Sequence, residues 1–280
     1  MWKDYSKNYI KNNRASSISI MAAALVATMF LSLLCSIAYN FWAYDVEQII
    51  LEEGDWQGRI VCEALGSDDL SMVCQFANVE KAAFNEELSQ KEKVVADVYF
   101  KNARTIYRDM PLIAAQLGLN KDSIHYNSLL LSRYFIHDPE DEAPPMLLAL
   151  YTMILIIMAV SLILIIRGSF ELSMNARIHQ FGIFSSIGAT PRQIKTCLLQ
   201  EAMALSILPM LLGSIFGISI SYGVIKAINF FASDVSGRHE AVFQYHPSIF
   251  AATVFISFLT VIFSAWIPAR KLSRMTPLEA

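Results

Sequence analysis

Four long stretches without charged side chains limit what this chain can fold into. The first runs from Ala15 to Tyr44, and the others cover residues 146–166, 202–225 and 248–267. A helix needs about 20 apolar residues to cross the hydrocarbon core of a bilayer. Only 17% of the residues are charged, where a soluble domain has about a quarter. The sequence therefore predicts a mainly α membrane protein with four transmembrane helices, at residues 18–44, 146–166, 201–228 and 247–267.

The first stretch has one alternative explanation, a cleaved signal peptide. It is too long for one, and no small-residue cleavage pattern follows it. Trp42 and Tyr44 close the stretch, where amphipathic rings favour the headgroup layer of a membrane. We therefore interpret it as a transmembrane anchor.

A polar insert, residues 45–145, separates the first two predicted spans. It carries nineteen acidic residues against nine basic ones, whereas the rest of the chain has a net charge of +7. Alternating apolar residues predict a half-buried strand within residues 93–101. Helical spacing predicts two short helices within residues 104–117, divided by Pro111. About 100 residues of this kind are enough for a small α+β domain.

The basic residues indicate an orientation. Residues 1–17, 167–200 and 268–280 carry four, four and three of them, whereas the loop of residues 229–246 carries only Arg238. Because polar segments rich in Lys and Arg stay on the cytosolic side, we expect these three segments and both termini to be cytosolic. The insert and the loop are then extracytoplasmic.

The segment of residues 167–200, which we call the elbow, contains signals for a tight turn between two helices. Gly188 stands where a helix end requires a left-handed residue. Thr190 is placed to cap the next helix, with Pro191 in its first turn and Gln193 able to complete a capping box. The second elbow helix should continue directly into the third span.

The first elbow helix has apolar residues on two sides. At about 100° per residue, one side holds Met174, Ile178 and Phe181, and the other holds Ile183 and Ile187, with Phe184 between them. A helix that lies only on a membrane needs a single apolar side. The second side favours a partner protein, and burial of both sides in the chain's own helix bundle is the alternative.

The elbow also resembles a family signature. Residues 177–183 (RIHQFGI) and 186–194 (SIGATPRQI), together with Glu201, 268–271 (PARK) and 276–280 (TPLEA), are similar to the signature of FtsX-like permeases. These are membrane subunits of ABC transporters of the MacB, LolC and FtsX types. The resemblance covers residues 146–280 and the general layout, and it is weak over residues 45–145. In that family the elbow docks on a cytosolic ATPase, which implies an ATPase-coupling role for Ile178, Phe181, Gly182, Ile183, Phe184, Ile187, Gly188, Thr190 and Pro191.

The chain lacks motifs for chemistry of its own. It has no glycine-rich phosphate loop, no His-Glu-x-x-His pair and no Cys-x-x-Cys pair, and its five histidines are scattered. We therefore expect no enzymatic activity, cofactor or metal, with ATP hydrolysis in a separate subunit. Glu201 and Lys226 bound the third span, and we expect both to reach the membrane interface. The absence of an ionisable residue near the middle of a span argues against an ion channel or a proton-coupled porter.

Two smaller features leave alternatives open. Gly213, Gly217 and Ser221 recur every four residues and give the third span a smooth flank for close helix packing. The partner helix can belong to this chain or to another one. Cys62 and Cys74, both in the insert, are either a disulfide or two buried free thiols.

Three classes of function fit these observations. The first is the permease subunit of an ABC transporter that exports or extracts a peptide, lipid or amphipathic drug. The second is an FtsX-like regulator that activates a cell-wall enzyme without transport. The third is a free-standing membrane sensor, for example of antimicrobial peptides, or an anchor, in either case without an ATPase. The expected partners are a cytosolic ABC ATPase, a second permease copy or half, and the bilayer of a bacterial plasma membrane, with no nucleic acid and an unidentified extracytoplasmic ligand.

Overall fold

The structure is a computed structural model that describes residues 14–89, 93–139, 146–175, 179, 182, 183, 186–232 and 239–272. It divides into two compact units. The sheet unit comprises Trp42–Tyr151. The helical unit comprises the described residues of Met1–Phe41 and Thr152–Ala280.

Most of the described chain is helical. Within the described residues, four helices are long and apolar enough to cross a membrane. They are α1 (Arg14–Glu53), α5 (Met146–Asn175), α6 (Pro191–Phe231) and α7 (Pro247–Leu272). Their existence confirms the mainly α class and the four helices of spanning length. The side of the membrane on which each end lies stays a prediction.

These helices are longer than the predicted spans. α1 continues to Glu53, in agreement with the helical continuation over residues 45–51 that the sequence predicts, and α5 continues to Asn175, beyond the span predicted for residues 146–166. The first nine residues assigned to the elbow, 167–175, therefore belong to α5. Hydrophobicity marks only the part of a helix that lipid surrounds, whereas the backbone hydrogen bonds can continue into polar sequence.

The sheet unit is built on four antiparallel strands in the order β2-β3-β1-β4. The strands are β1 (Gly58–Cys62), β2 (Val79–Phe84), β3 (Val94–Phe100) and β4 (Ile124–Tyr126). β1 pairs with β3 and with β4, so that Ile60 lies opposite both Ala96 and Ile124. Three helices complete this α+β unit: α2 (Ser67–Cys74), α3 (Ile106–Gln116) and α4 (Ser128–Arg133).

The strand predicted within residues 93–101 is confirmed, but its half-buried character is wrong. Val95 and Asp97 are buried on one face, and Ala96, Val98 and Phe100 are buried on the other. β3 is an interior strand, and Arg59 on β1 binds Asp97 through two hydrogen bonds of 2.5 and 3.2 Å. Asn85 adds a third bond to the same carboxylate at 2.9 Å. These hydrogen bonds from a charged and an amide donor offset the free-energy cost of burying the Asp97 carboxylate.

The predicted division at Pro111 is also wrong. α3 runs unbroken through this proline, after a short 3₁₀ turn at Ala103–Thr105. Proline removes one backbone hydrogen bond. Ile106, Met110 and Ile113 are fully buried in the core against the sheet, and their burial offsets that loss.

Candidate coupling turn and helix contact

The turn between the elbow and α6 has the predicted geometry. Gly188 adopts a positive φ of 97°, which a residue without a Cβ tolerates. Thr190 accepts a hydrogen bond from the backbone N–H of Gln193 at 3.4 Å, and the Gln193 side chain accepts one from the Thr190 N–H at 2.9 Å. Pro191 occupies the first helical position. The capping box is confirmed, and its role in coupling stays a prediction.

The two apolar sides of the elbow differ in burial. Met174 is 3% exposed and packs in the core of the helical unit. Ile183 and Ile187 are 48% and 78% exposed, although the Ile187 N–H binds the Ile183 carbonyl at 3.1 Å as in a helical turn. The alternative in which both sides are buried in the chain's own bundle therefore fails for these two isoleucines. Of the remaining predicted coupling residues, Gly182 is partly buried, and Ile178, Phe181 and Phe184 lie outside the described residues.

The small residues of α6 lie against α1 of the same chain. A Cβ added at Gly213 would lie 2.6 Å from the carbonyl oxygen of Leu25. A Cβ added at Gly217 would lie 2.5 Å from the carbonyl oxygen of Met29 and 2.6 Å from the Cβ of Ser32. At both positions the backbones of the two helices approach so closely that only glycine fits without a shift.

Hydroxyl groups line the same contact. Ser32 of α1 donates a hydrogen bond to the carbonyl oxygen of Ser214 of α6 at 2.8 Å. Ser221, the third residue of the predicted flank, is fully buried, and its hydroxyl has no hydrogen-bond partner among the described atoms. Sequence reasoning identified the glycines but missed Ser32, because a single serine in an apolar stretch does not reveal which helix it faces.

Glu201 corrects one sequence-based expectation. Its residue is only 3% exposed, so it does not reach out to the interface, and it has an interaction partner in the structure. Helical spacing places it on the face of α6 that also carries Leu198, Ala202 and Leu205, all of them buried. Lys226 is exposed, as expected, and its ammonium lies 4.8 Å from the centre of the Tyr222 ring.

The sheet unit contains a polar cleft of about 460 Å³. Asp55, Glu80, Lys81, Tyr99 and Tyr134 contribute to its lining. Burial, together with the nearby Asp55 carboxylate, raises the pKa of both tyrosine hydroxyls. Both hydroxyls therefore stay protonated and able to donate hydrogen bonds at neutral pH.

The described cysteines form no disulfide. Cys62 is partly buried and Cys74 is exposed, so the expectation of two buried thiols is wrong for Cys74. Among the residues that the structure describes, no group of three or more His, Cys, Asp or Glu side chains can hold a metal ion.

Four described helices of spanning length are the feature of a membrane protein. Residues 152–277 match the family described as FtsX-like permease C-terminal. No curated protein matches the chain. This match confirms the resemblance seen in the elbow and covers the C-terminal part of the chain. Members of that family are membrane components of ABC transporters and are not themselves enzymes.

Proposed function

We propose that this chain is the permease subunit of an ABC transporter, and that it transmits ATP-driven motion from a cytosolic ATPase to its sheet unit. This motion drives the export or extraction of a peptide, lipid or amphipathic drug. The chain itself carries no ATPase activity and needs no cofactor in this proposal.

The observation that carries the proposal is the contact of the two glycines of α6 with the backbone of α1. The capped turn at Thr190 begins α6, and α6 touches α1 at Gly213 and Gly217. The C-terminal part of α1 in turn packs in the sheet unit, where Val46 and Ile49 are buried with Leu130. Because each step is a helix or a close contact, movement of the turn has a continuous route to the sheet unit.

The docking side for the ATPase is the exposed apolar side of the elbow. Ile183 and Ile187 expose large aliphatic side chains on a segment that the charge pattern assigns to the cytosol. A groove on the ATPase that covers them would remove apolar surface from water, which favours association. Gly182, Gly188, Thr190 and Pro191 shape this segment, and Ile178, Phe181 and Phe184 belong to the same proposed coupling set.

The proposed function also implies a location for the chain and an assembly with other subunits. The chain lies in a bacterial plasma membrane with both termini cytosolic and the sheet unit outside. It pairs with a second permease copy or half, and it does not bind nucleic acid. The polar cleft of the sheet unit, with its protonated tyrosines and Asp55, is a place where an extracytoplasmic ligand can bind.

A non-transporting role is the second candidate. An FtsX-like regulator would use the same elbow, helix contact and ATPase to switch a cell-wall enzyme through the sheet unit. A sensor of antimicrobial peptides differs from both because it needs no ATPase. The exposed isoleucines of the elbow favour a role with an ATPase over the sensor.

The test replaces one exposed elbow residue by a charge. Ile183→Asp should abolish ATPase binding, because burying an unpaired carboxylate in the contact costs several kcal/mol. The full tagged chain is purified from its native host in mild detergent with ATP and vanadate. The measured quantity is the amount of copurified ABC ATPase per permease.

Two further variants control this experiment. Thr196→Asp adds the same charge on the exposed side of α6 and should retain the ATPase. Met174→Asp places it in the core of the helical unit and should reduce folding, as read by circular dichroism and gel filtration. If Ile183→Asp holds as much ATPase as Thr196→Asp does, the elbow is not the coupling element.

A further inference from the structure

Two aromatic residues of the sheet unit, Tyr134 and Phe135, are exposed next to the C-terminal half of α1. Tyr134 is 39% exposed and Phe135 is 47% exposed. Phe135 also has a positive φ of 57°, which is rare for a bulky residue. Unfavourable backbone conformations of this kind persist where the surrounding structure holds them, often at functional surfaces.

The helix before these residues, α4, runs antiparallel to α1. At its start, the side-chain amide of Asn127 donates to the carbonyl oxygen of Gly54, just beyond the end of α1, at 3.3 Å. At its end, the indole N–H of Trp42 donates to the carbonyl oxygen of Arg133 at 2.7 Å. α4 therefore runs antiparallel to α1, with its start toward Gly54 and its end beside the Trp42 side chain.

Three more contacts fix this arrangement. The Arg133 guanidinium forms an ion pair with Asp45, three residues after Trp42. Leu130, in the middle of α4, is buried with Val46 and Ile49 of α1. The Tyr134 ring then meets the Trp42 ring edge-on, with 6.2 Å between the ring centres. Tyr134 consequently lies beside the Trp42 ring, and Phe135 is the next residue in the chain.

The level of Trp42 follows from the sequence of α1. The uncharged stretch ends at Tyr44, and Asp45 is the first charged residue after it. The hydrocarbon core needs about 20 helical residues, so the last residues of this stretch extend beyond it. Tryptophan and tyrosine favour the headgroup layer that follows. Trp42 therefore lies in that layer, and residues in direct contact with it lie there too.

We propose that Tyr134 and Phe135 form a membrane-contacting edge, at which the sheet unit inserts into the headgroup layer of the leaflet that holds Trp42. The occupant of this apolar edge is the lipid bilayer. The edge is continuous with the membrane span of α1 through one hydrogen bond, one ion pair and one ring contact. Aromatic rings at this depth exchange water for the apolar part of the lipid.

The test places a fluorophore at the proposed edge. All four cysteines of the full chain are replaced by alanine, and Phe135→Cys is labelled with the environment-sensitive dye NBD. The protein is studied in nanodiscs that contain lipid spin-labelled near the headgroup. A blue-shifted emission and a loss of intensity with spin-labelled lipid are expected at residue 135.

Two other positions serve as controls. Leu88→Cys follows β2, at the edge of the sheet opposite β4, and residue 88 is exposed to a similar extent (49%). A dye there should emit as in water and stay unquenched. Phe30 lies near the middle of the apolar stretch of α1 and is 53% exposed. A dye on Phe30→Cys should therefore show blue-shifted emission without quenching by the headgroup label, which reports that α1 spans the nanodisc.

The outcomes separate the alternatives. Quenching at residue 135 but not at residue 88, with blue-shifted emission at residue 30, supports the membrane-contacting edge. Water-like emission at residue 135 overturns it, and so does equal quenching at residues 88 and 135. A blue shift at residue 135 without quenching means that protein, such as a second copy, covers the edge, which also overturns the proposal. None of these outcomes depends on ATPase binding.

Discussion

The thiol of Cys62 sits at the end of β1, where its surroundings reduce its reactivity. The thiol donates a hydrogen bond to the carbonyl oxygen of Ala64 at 3.5 Å. Burial is the main cause that raises the pKa of this thiol, and the nearby Asp69 carboxylate acts in the same direction. A raised pKa means a smaller thiolate fraction at neutral pH, and the thiolate is the reactive form.

We therefore expect Cys74, which is exposed, to react with a maleimide faster than Cys62 in the native protein. The rates are measured by peptide mass spectrometry after timed labelling at neutral pH. In denaturant the difference should disappear, which serves as the control. Recovery of a linked Cys62–Cys74 peptide from unreduced protein would contradict the free thiols of the structure.

Individual residues also show where sequence reasoning stops. Gly188 and Thr190 could be predicted because helix ends have local rules that depend on neighbours in sequence. The burial of Glu201 and of Asp97 could not be predicted, because it depends on which face of an element meets another element. Arg59, the partner of Asp97, is 38 residues away in the sequence.

At the scale of elements, the contact between α1 and α6 is the feature with the clearest mutational consequence. Gly217 and Gly223 stand on the same helix but differ in surroundings. A Cβ at residue 217 would clash with α1, whereas a Cβ at residue 223 would meet no heavy atom within 4 Å. The close contact with α1 therefore requires glycine at position 217, whereas nothing in the surroundings of position 223 requires it.

Gly217→Ala should destabilise the protein by about 1–3 kcal/mol, the usual cost of overpacking a well-packed contact. Gly223→Ala is the matched control and should be neutral or slightly stabilising, since alanine is the better helix former. Thermal unfolding in detergent, followed by tryptophan fluorescence, measures both. Equal melting temperatures for the two variants would show that the helices do not approach as closely as described.

The periodicity of the third span predicted a smooth flank at Gly213 and Gly217, but not the helix that meets it. A spacing of four residues shows which face of a helix is smooth, whereas a partner is chosen by the packing of the whole unit. Likewise, apolar spacing predicted α3 and its buried Ile106, Met110 and Ile113, but not its passage through Pro111. Tertiary burial outweighed the local preference there.

At the scale of the whole molecule, the charge pattern makes the orientation testable. Ser67 is exposed at the start of α2 in the sheet unit, and Asn175 is exposed at the end of α5. Ser173 is nearby but only 4% exposed, so it is a poor labelling position. The positive-inside rule assigns residue 67 to the outside and residue 175 to the cytosol.

In a cysteine-free background, Ser67→Cys should react with an impermeant maleimide in intact cells. Asn175→Cys should react only after the membrane is opened, which also proves that the thiol is accessible. Gel-shift labelling measures both reactions. Labelling of residue 175 in intact cells, or protection of residue 67, would reverse the assigned topology.

The closeness of α6 and α1 also restricts how these helices can drift in sequence. At Gly213 the two nearest atoms are the carbonyl oxygen of Leu25 and the backbone nitrogen of Met29. Neither atom becomes smaller when a side chain of α1 is replaced. A larger residue at position 213 therefore has no second-site suppressor that merely trims a side chain. A second substitution that restores stability must move a stretch of helical backbone. The backbone position of α1, and not the side chains of α1, therefore requires glycine at residue 213.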